Sequence, residues 1–410
     1  MYKSKRMFLV IVVAMGIVAA TSVSSAAKSD PKSNSTITVG VLTDLTGPGA
    51  SGNKTTQMGV QAGVAYAKAH GYTIKFDLAD TQTSPTGAQS AAQELVLQDH
   101  VTAVIAVSSL TFLAASVFTQ HGVPVVGAAE DSSEWTNTKN MFSVYGPIDA
   151  SLVATTDGKF FKLEGATNLG SLGYGISPQS ADAAEGAAVS AQLAGLKVGY
   201  LNANFSFGST NVQPIALAMK SSGVDAVTAS VDPNTGLLLV SALHQVGANI
   251  KVALLPTGYG GDLTQAGPGA LSAAQNVYFL SSFEPIEMHT AATVQFQKYL
   301  KVAKITGDPT YAEYDGYASV VLLVQALQAA GSHPSQAKLL AALGRIKNYN
   351  AAGLLGGRTI NMAKRVAAPG APGNCLYITK LSGSTFRLVP GADPICGSLV
   401  PGKTVSPPSS

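Results

Sequence analysis

Cysteines, histidines and charged residues are all scarce in this chain, and each scarcity excludes some classes of protein function. The 410 residues include two cysteines, one tryptophan and six histidines, and 12% of them are charged. Two thiols offer no cysteine cluster for a metal, and the histidines are scattered without the short spacings of a metal site. The sequence therefore predicts no metal and no other cofactor.

Catalytic motifs and an excess of positive charge are missing as well. We find neither G-x-S-x-G nor H-E-x-x-H, and no cysteine suited to catalysis, so we expect a protein that is not an enzyme. Lysine and arginine number 26 against 23 aspartates and glutamates, and three of the basic residues precede residue 7. Without those three, the chain has 23 basic and 23 acidic residues and a net charge near zero, which argues against a nucleic-acid partner.

The first 26 residues have the pattern of a secretory signal peptide. A basic start is followed by an apolar run from Met7 to Ala20 and then by small residues up to Ala27. An uncleaved N-terminal anchor is the alternative interpretation. We expect an exported protein, periplasmic or extracellular, with a polar linker over 27–36 and no lipid-anchor cysteine in the signal.

Cys375 and Cys396 are the only cysteines, and both lie near the end of the chain. In an exported protein, two such cysteines predict a disulfide. In the chain-entropy view, closing a loop of about 22 residues contributes on the order of 3 kcal/mol.

After the linker, short apolar strands alternate with helical patterns, which is typical of βαβ units and a parallel sheet. The pattern pauses at Tyr145–Asp149 and then restarts, predicting a second parallel sheet of similar plan. From Thr290 it becomes helical, then a hairpin spans 376–388, and we expect a loose tail over 401–410. The predicted strands are Thr36–Leu42, Thr73–Ala79, Ala103–Val107, Val123–Gly127, Asn168–Gly173, Lys197–Leu201, Asp225–Ser230, Lys251–Leu255 and Asn276–Leu280.

The segment Gly47–Gly52 reads G-x-G-x-x-G, the spacing of a dinucleotide-binding loop. That loop needs its first glycine at the strand end, free amides, and an acidic residue about 20 positions further on. Here four residues intervene after Leu42, Pro48 lacks an amide proton, and Asp80 lies too far along the chain. The context therefore argues against a nucleotide site.

The same loop and several later segments follow one another in a recognisable order. They are Asp44–Gly52, Gly59–Tyr66, Asp80–Pro85, Asp99–Ser109, Val123–Val126 and Tyr314–Tyr317. In order and spacing they resemble the branched-chain amino acid binding proteins, which are type I periplasmic binding proteins serving ABC importers. The resemblance covers roughly Thr36 to Pro390.

This resemblance implies an α/β fold of two Rossmann-like lobes, each with a parallel central sheet, joined by a three-segment hinge. Lobe 1 would comprise 37–147 plus 285–350, and lobe 2 would comprise 148–284 plus 351–400. It further implies a monomer that holds a small-molecule ligand, amino-acid-like or another small organic solute, between the lobes and delivers it to the membrane permease of an ABC importer. A non-transport extracellular sensor or partner-binding protein that reuses the fold is the alternative.

Ligands of open parallel sheets lie beyond the carboxyl ends of the strands, and this rule selects the loops there. Ser108 and Ser109 stand where a hydroxyl can hold a ligand oxygen, although they can equally cap the next helix. The aromatic candidates, Tyr174 and Tyr259, can equally pack the loops. The full set of candidate ligand-binding residues is Gly49, Ala50, Ser51, Ser108, Ser109, Ala128, Ala129, Glu130, Tyr174, Ser177, Asp232 and Tyr259.

Three of these loops depart from the amino-acid-binding pattern. Glu130 and Asp131 replace a small hydroxyl residue, the loop after Lys251–Leu255 has its acidic residue only at Asp262, and Val231–Pro233 replaces an aromatic residue. A ligand carboxylate facing Glu130 would be strongly unfavourable. We therefore expect a ligand that is cationic, a polar amide or largely apolar, unless Glu130 turns outward into solvent.

Overall fold

The computed structural model describes residues 36–130, 132–265, 269–331, 334–365, 369–371 and 373–405. The predicted signal peptide, the linker up to residue 35, and Asp131 lie outside the described residues. None of the helices in the described ranges has both the length and the apolar character of a membrane span.

The first sheet consists of five parallel strands in the order β2-β1-β3-β4-β5. Its central strands are almost wholly buried, as expected for a parallel sheet covered on both faces. The strands are β1 (Thr36–Thr43), β2 (Thr73–Asp80), β3 (Ala103–Val107), β4 (Val125–Gly127) and β5 (Met141–Ser143). The accompanying helices are α1 (Ala50–Asn53), α2 (Thr56–Ala69), α3 (Pro85–Gln93), α4 (Thr111–Gln120) and α5 (Glu134–Asn137).

The second sheet has the order β13-β12-β11-β10-β9-β7-β8. The strands from β8 to β11 are parallel, whereas β12 pairs antiparallel with both β11 and β13. The strands introduced here are β6 (Leu152–Ala154), β7 (Asn168–Tyr174), β8 (Lys197–Phe205), β9 (Ala226–Ser230), β10 (Val252–Leu255), β11 (Tyr278–Ser281), β12 (Cys375–Ser382), β13 (Thr385–Leu388), β14 (Ile395–Cys396) and β15 (Leu399–Thr404). The helices here are α6 (Thr156–Leu163), α7 (Pro178–Leu193), α8 (Gln213–Ser221), α9 (Pro233–Gln245), α10 (Gly261–Gln265) and α11 (Ala270–Ala273).

Three later helices return to the first sheet: α12 (Ala291–Val302), α13 (Tyr311–Ala330) and α14 (Gln336–Leu343). Helix α13 is buried along most of its length because it packs between α2 and the strands β3 and β4. The contact with α2 requires glycine, since a Cβ at Gly59 would lie 2.1 Å from the carbonyl oxygen of Glu313. The chain thus passes between the lobes three times, and the predicted two-lobed α/β fold is confirmed.

The end of the described chain differs from the sequence prediction. Strand β15 pairs with β6 in an antiparallel ladder that joins Leu399 to Ala154 and Thr404 to Leu152. The expectation of a loose tail is therefore wrong for 401–404, because β6 supplies a strand edge with which they pair. Helix α6 was not predicted either; it has only eight residues and lies between the pause at Tyr145–Asp149 and the strand predicted at Asn168–Gly173.

The predicted disulfide is confirmed: Cys375 and Cys396 are bonded across the ladder between β12 and β14. The bond closes a loop with a sequence separation of 21 residues. It thereby restrains the last strands of lobe 2, which lie beside α6.

We expect the double variant Cys375→Ser, Cys396→Ser to lose about 3 kcal/mol of unfolding free energy, because its unfolded chain is no longer restrained. Urea denaturation of the variant and the wild type measures this. Wild-type protein kept in a reductant serves as the control and should unfold at the same urea concentration as the variant. An unchanged urea midpoint in both would contradict the prediction.

Candidate functional site

A cavity of about 190 Å³ lies between the two lobes, at the carboxyl ends of both sets of parallel strands. Seven of the residues selected from the sequence line it: Gly49, Ser109, Ala129, Glu130, Tyr174, Ser177 and Asp232. The other five, Ala50, Ser51, Ser108, Ala128 and Tyr259, are not part of its lining.

Asp44 organises the lobe 1 side of the cavity. Its carboxylate is fully buried and accepts hydrogen bonds from the hydroxyls of Thr81 and Ser108, the latter at 2.5 Å. It also accepts from the side-chain amide of Asn53 and the backbone amide of Ser109, each at 2.9 Å. The Ser108 hydroxyl is thus turned towards Asp44, while Asn53 and Ser109 face the cavity.

Asp232 is the corresponding hydrogen-bond acceptor of the cavity wall in lobe 2. It caps α9, its carboxylate accepting from the backbone amide of Thr235 at 3.1 Å and from the hydroxyl of the same residue at 2.7 Å. It also accepts from the Tyr174 hydroxyl. Burial, together with the Asp232 charge, raises the pKa of Tyr174, so this tyrosine remains a neutral hydrogen-bond donor.

Two hydrogen bonds connect the lobes across the cavity. The Ser51 hydroxyl of lobe 1 donates to Asp232 Oδ1 of lobe 2 at 3.0 Å. The Gln179 side-chain amide, from α7 in lobe 2, donates to the carbonyl oxygen of Ala129 in lobe 1. These contacts belong to a closed arrangement in which both lobes bound the same cavity.

Glu130 faces the cavity and hydrogen-bonds to Asp315, a fully buried residue of α13. Two carboxyl groups can share a hydrogen bond only when one of them carries a proton. The Tyr145 hydroxyl also donates to Asp315, at 2.5 Å, and burial raises the pKa of Asp315 to about 7. The alternative expectation, with Glu130 turned outward, does not describe this structure.

Asp262 also lines the cavity, although the sequence did not select it as a site residue. It lies in the first turn of α10 and is only 1% exposed, and neither carboxylate oxygen has a hydrogen-bond partner at ordinary distance and angle. Burial raises its pKa well above the usual range, and the nearby backbone amides of Gly258 and Tyr311 offset this only in part. Its signal in the sequence was its place as the first acidic residue after β10.

The rest of the lining is mainly apolar or neutral. Phe207 packs edge-on against Tyr174 with ring centroids 4.9 Å apart, and Ile176, Val231 and Pro256 add apolar surface. Among the described residues that line the cavity, none is lysine, arginine or histidine. The site therefore offers carboxyl groups, hydroxyls and aromatic rings to a ligand, but no cationic side chain.

Internal hydrogen bonds occupy the amides of the glycine loop. The amide of Gly49 donates to the Thr83 hydroxyl at 3.1 Å, and that of Gly52 donates to the Gly49 carbonyl oxygen at 3.1 Å. A phosphate-binding loop needs such amides free to face its ligand. This loop instead forms one wall of the cavity through Gly49 and Gly52.

Comparison with known proteins agrees with this architecture. The model of a family described as periplasmic binding protein matches residues 36–385. The chain belongs to the periplasmic binding protein family. No curated protein matches the sequence.

Three solved periplasmic binding proteins illustrate the similarity in fold. A solute-binding protein of an R. palustris ABC transporter, in complex with 4-hydroxybenzoate, is 19% identical with a TM-score of 0.69, covering 91% of this chain and 98% of its own. A leucine-binding protein from Thermotoga maritima is 18% identical with a TM-score of 0.70, covering 86% and 97%. A branched-chain amino acid transporter substrate-binding protein from Streptococcus pneumoniae, in complex with isoleucine, is 20% identical with a TM-score of 0.69, covering 89% and 99%. At these identities the similarity shows the fold alone.

Proposed function

We propose that this periplasmic binding protein captures a small organic solute outside the cytoplasm and delivers it to an ABC importer. The observation that carries the proposal is the cavity closed between the lobes by the Ser51–Asp232 and Gln179–Ala129 hydrogen bonds. A ligand that contacts both lobes favours the closed form, and an importer can recognise that form. We propose 37–147 with 285–350, and 148–284 with 351–400, as the two bodies that close.

The size of the cavity and the ligands of similar proteins support a small solute. A cavity of about 150 Å³ is known to admit benzene, and this one measures about 190 Å³. The R. palustris and Streptococcus pneumoniae proteins are in complex with 4-hydroxybenzoate and isoleucine, each a molecule of this size class. We propose binding without turnover, in a monomer that is exported.

A thermal-shift screen of amino acids, aromatic acids, amides and amines tests the proposal. We expect at least one compound to raise Tm and, in small-angle scattering, to reduce the radius of gyration. The loaded protein should then stimulate ATP hydrolysis by an ABC permease of the same organism in proteoliposomes. Binding without any such stimulation would favour the extracellular sensor, and turnover of the bound compound would contradict both.

The variant Ser51→Ala tests the role of closure. It removes a charge-assisted hydrogen bond between the lobes, so we expect the compound found in the screen to bind about tenfold more weakly, equivalent to about 1.4 kcal/mol. Calorimetric titration measures this. Ser335→Ala removes one hydrogen bond at the N-terminus of α14 and should bind as wild type does. Equal weakening in both variants would contradict a role in closure.

A further inference from the structure

A second cavity, of about 180 Å³, lies directly beside the first. The two share part of their walls, formed by Ala129, Gln179, Ala183, Ser230, Pro256 and Tyr311. The Gln179 side chain, which donates to the Ala129 carbonyl oxygen, is part of this shared wall. The two cavities are therefore neighbouring parts of one elongated space between the lobes.

Each cavity contains a buried carboxyl group with an oxygen that lacks a partner. In the first this is Asp262, 1% exposed, with the backbone amides of Gly258 and Tyr311 nearby but with neither oxygen in a hydrogen bond of ordinary distance and angle. In the second it is Asp182 of α7, 6% exposed, whose Oδ1 has no hydrogen-bond partner. Asp157 of α6 also lines the second cavity. Unpartnered buried carboxyl groups are costly unless something supplies the missing interaction.

No cationic side chain among the described residues that line the cavities supplies it. The lining of the second cavity, like that of the first, includes no lysine, arginine or histidine in the described ranges. The ion pair found among them, Lys251 with Asp225, involves neither cavity. Burial raises the pKa of Asp157 and of Asp182 to about 6, the latter with help from Glu185 and Asp149. These groups would ionise more readily beside a cation.

The space between the two carboxyl groups is mainly apolar. Ala183 and Pro256 border both cavities, and Val153, Ala187 and Leu280 extend the apolar surface into the second. A hydrocarbon chain fits such a surface, whereas a ligand with charge along its length does not.

We propose that the two cavities form one elongated site for an aliphatic diamine, with one ammonium group at Asp262 and the other at Asp182. This inference rests on the proposed function and names its class of solute. The hydrocarbon chain of the ligand passes Ala183 and Pro256 along the wall that the two cavities share.

Calorimetric titration of the wild-type protein at pH 7.5 tests the class of ligand. The probes are 1,4-diaminobutane, 1,6-diaminohexane and 1,8-diaminooctane, with 1-aminohexane, 1,6-hexanediol and hexanedioate as comparisons. We expect one diamine to bind at least tenfold more tightly than the monoamine, with an optimum in chain length. Diol or dicarboxylate binding as tightly as any diamine, or a diamine no better than the monoamine, would overturn the proposal.

Two variants test the placement of the ammonium groups. Asp262→Asn and Asp182→Asn should each reduce affinity for the best diamine to that for the monoamine, whereas Asp77→Asn, on the exposed face of β2, should leave it unchanged. Unchanged diamine affinity in both site variants would overturn the assignment of the ammonium groups to Asp262 and Asp182. If a variant fails to fold, the titration of the wild-type protein still decides whether the ligand is a diamine. If no amine binds but another compound of the screen does, this inference fails and the proposed function stands. If no compound binds, both fail.

Discussion

Replacing Asp44 with alanine should lower the unfolding free energy by about 4 kcal/mol. The change leaves four buried donors without their acceptor, from Thr81, Ser108, Asn53 and the backbone of Ser109. Leaving a buried donor without its acceptor typically costs about 1–3 kcal/mol, and four donors are affected together. Affinity for the compound found in the screen should fall at least tenfold, because Asn53 and Ser109 lose their fixed positions at the cavity. Chemical denaturation and calorimetric titration measure the two effects.

Asp80 provides a matched control at the end of the neighbouring strand. It too accepts four hydrogen bonds, from the backbone amides of Leu45, Thr46 and Gln82 and from the Thr46 hydroxyl, but it is partly exposed and does not line the cavity. Asp80→Ala should lose less stability and retain ligand affinity. If both variants lost affinity equally, Asp44 would have no specific role in positioning the cavity wall.

Replacing Asp315 with asparagine should stabilise the protein at pH 8 by on the order of 3 kcal/mol. Burial raises the pKa of Asp315 to about 7, whereas in the unfolded chain it ionises near its ordinary value of 3.8. The folded state therefore retains a proton that the unfolded state has lost, and stability falls as pH rises from about 4 to 7. Asparagine removes this penalty, worth about 1.4 kcal/mol per pKa unit, and still accepts from Tyr145.

The measurement is the unfolding free energy of both proteins between pH 4 and 8. The unfolding free energy of the variant should fall less steeply with rising pH than that of the wild type. It should still fall, because burial also raises the pKa of Glu313 to about 7. Asp225→Asn is the control of opposite sign. Burial acts to raise the pKa of Asp225, but hydrogen bonds from Thr167, Lys251 and Asn168 outweigh it, so this variant should lose stability at neutral pH. If the unfolding free energies of Asp315→Asn and wild type declined equally steeply between pH 4 and 8, the prediction would be contradicted.

Much of the fold was predictable because strands and helices in parallel α/β proteins carry strong local patterns. The bounds predicted for β3 are those found, since its five residues are apolar and buried on both faces. The apolar pattern of the sequence predicts helices over Ala181–Ala194 and Gly236–Val246, but α7 and α9 begin three residues earlier, at Pro178 and Pro233. There Ser177 and Asp232 cap their helices and a proline follows each, a signal of helix beginnings that the apolar pattern alone does not show.

The candidate site was only partly predictable. The rule for strand-end loops places Gly49, Ser109 and Tyr174 correctly at the cavity, because it depends on topology alone. It could not distinguish which side chain of a loop faces the cavity. Ser108 faces Asp44, while its neighbour Ser109 lines the cavity, and hydrogen bonds rather than residue type decide between them.

By itself the sequence determined the two-lobed α/β fold, the disulfide and the general location of the cavity between the lobes, because apolar periodicity, cysteine number and strand ends are local properties. Only the tertiary structure brought Glu130 against Asp315, 185 positions apart in the numbering, and buried Asp262 and Asp182 in cavities whose described lining has no cationic side chain. The electrostatic character of the cavity arises from carboxyl groups that are distant in the chain and become costly only when folding removes their water.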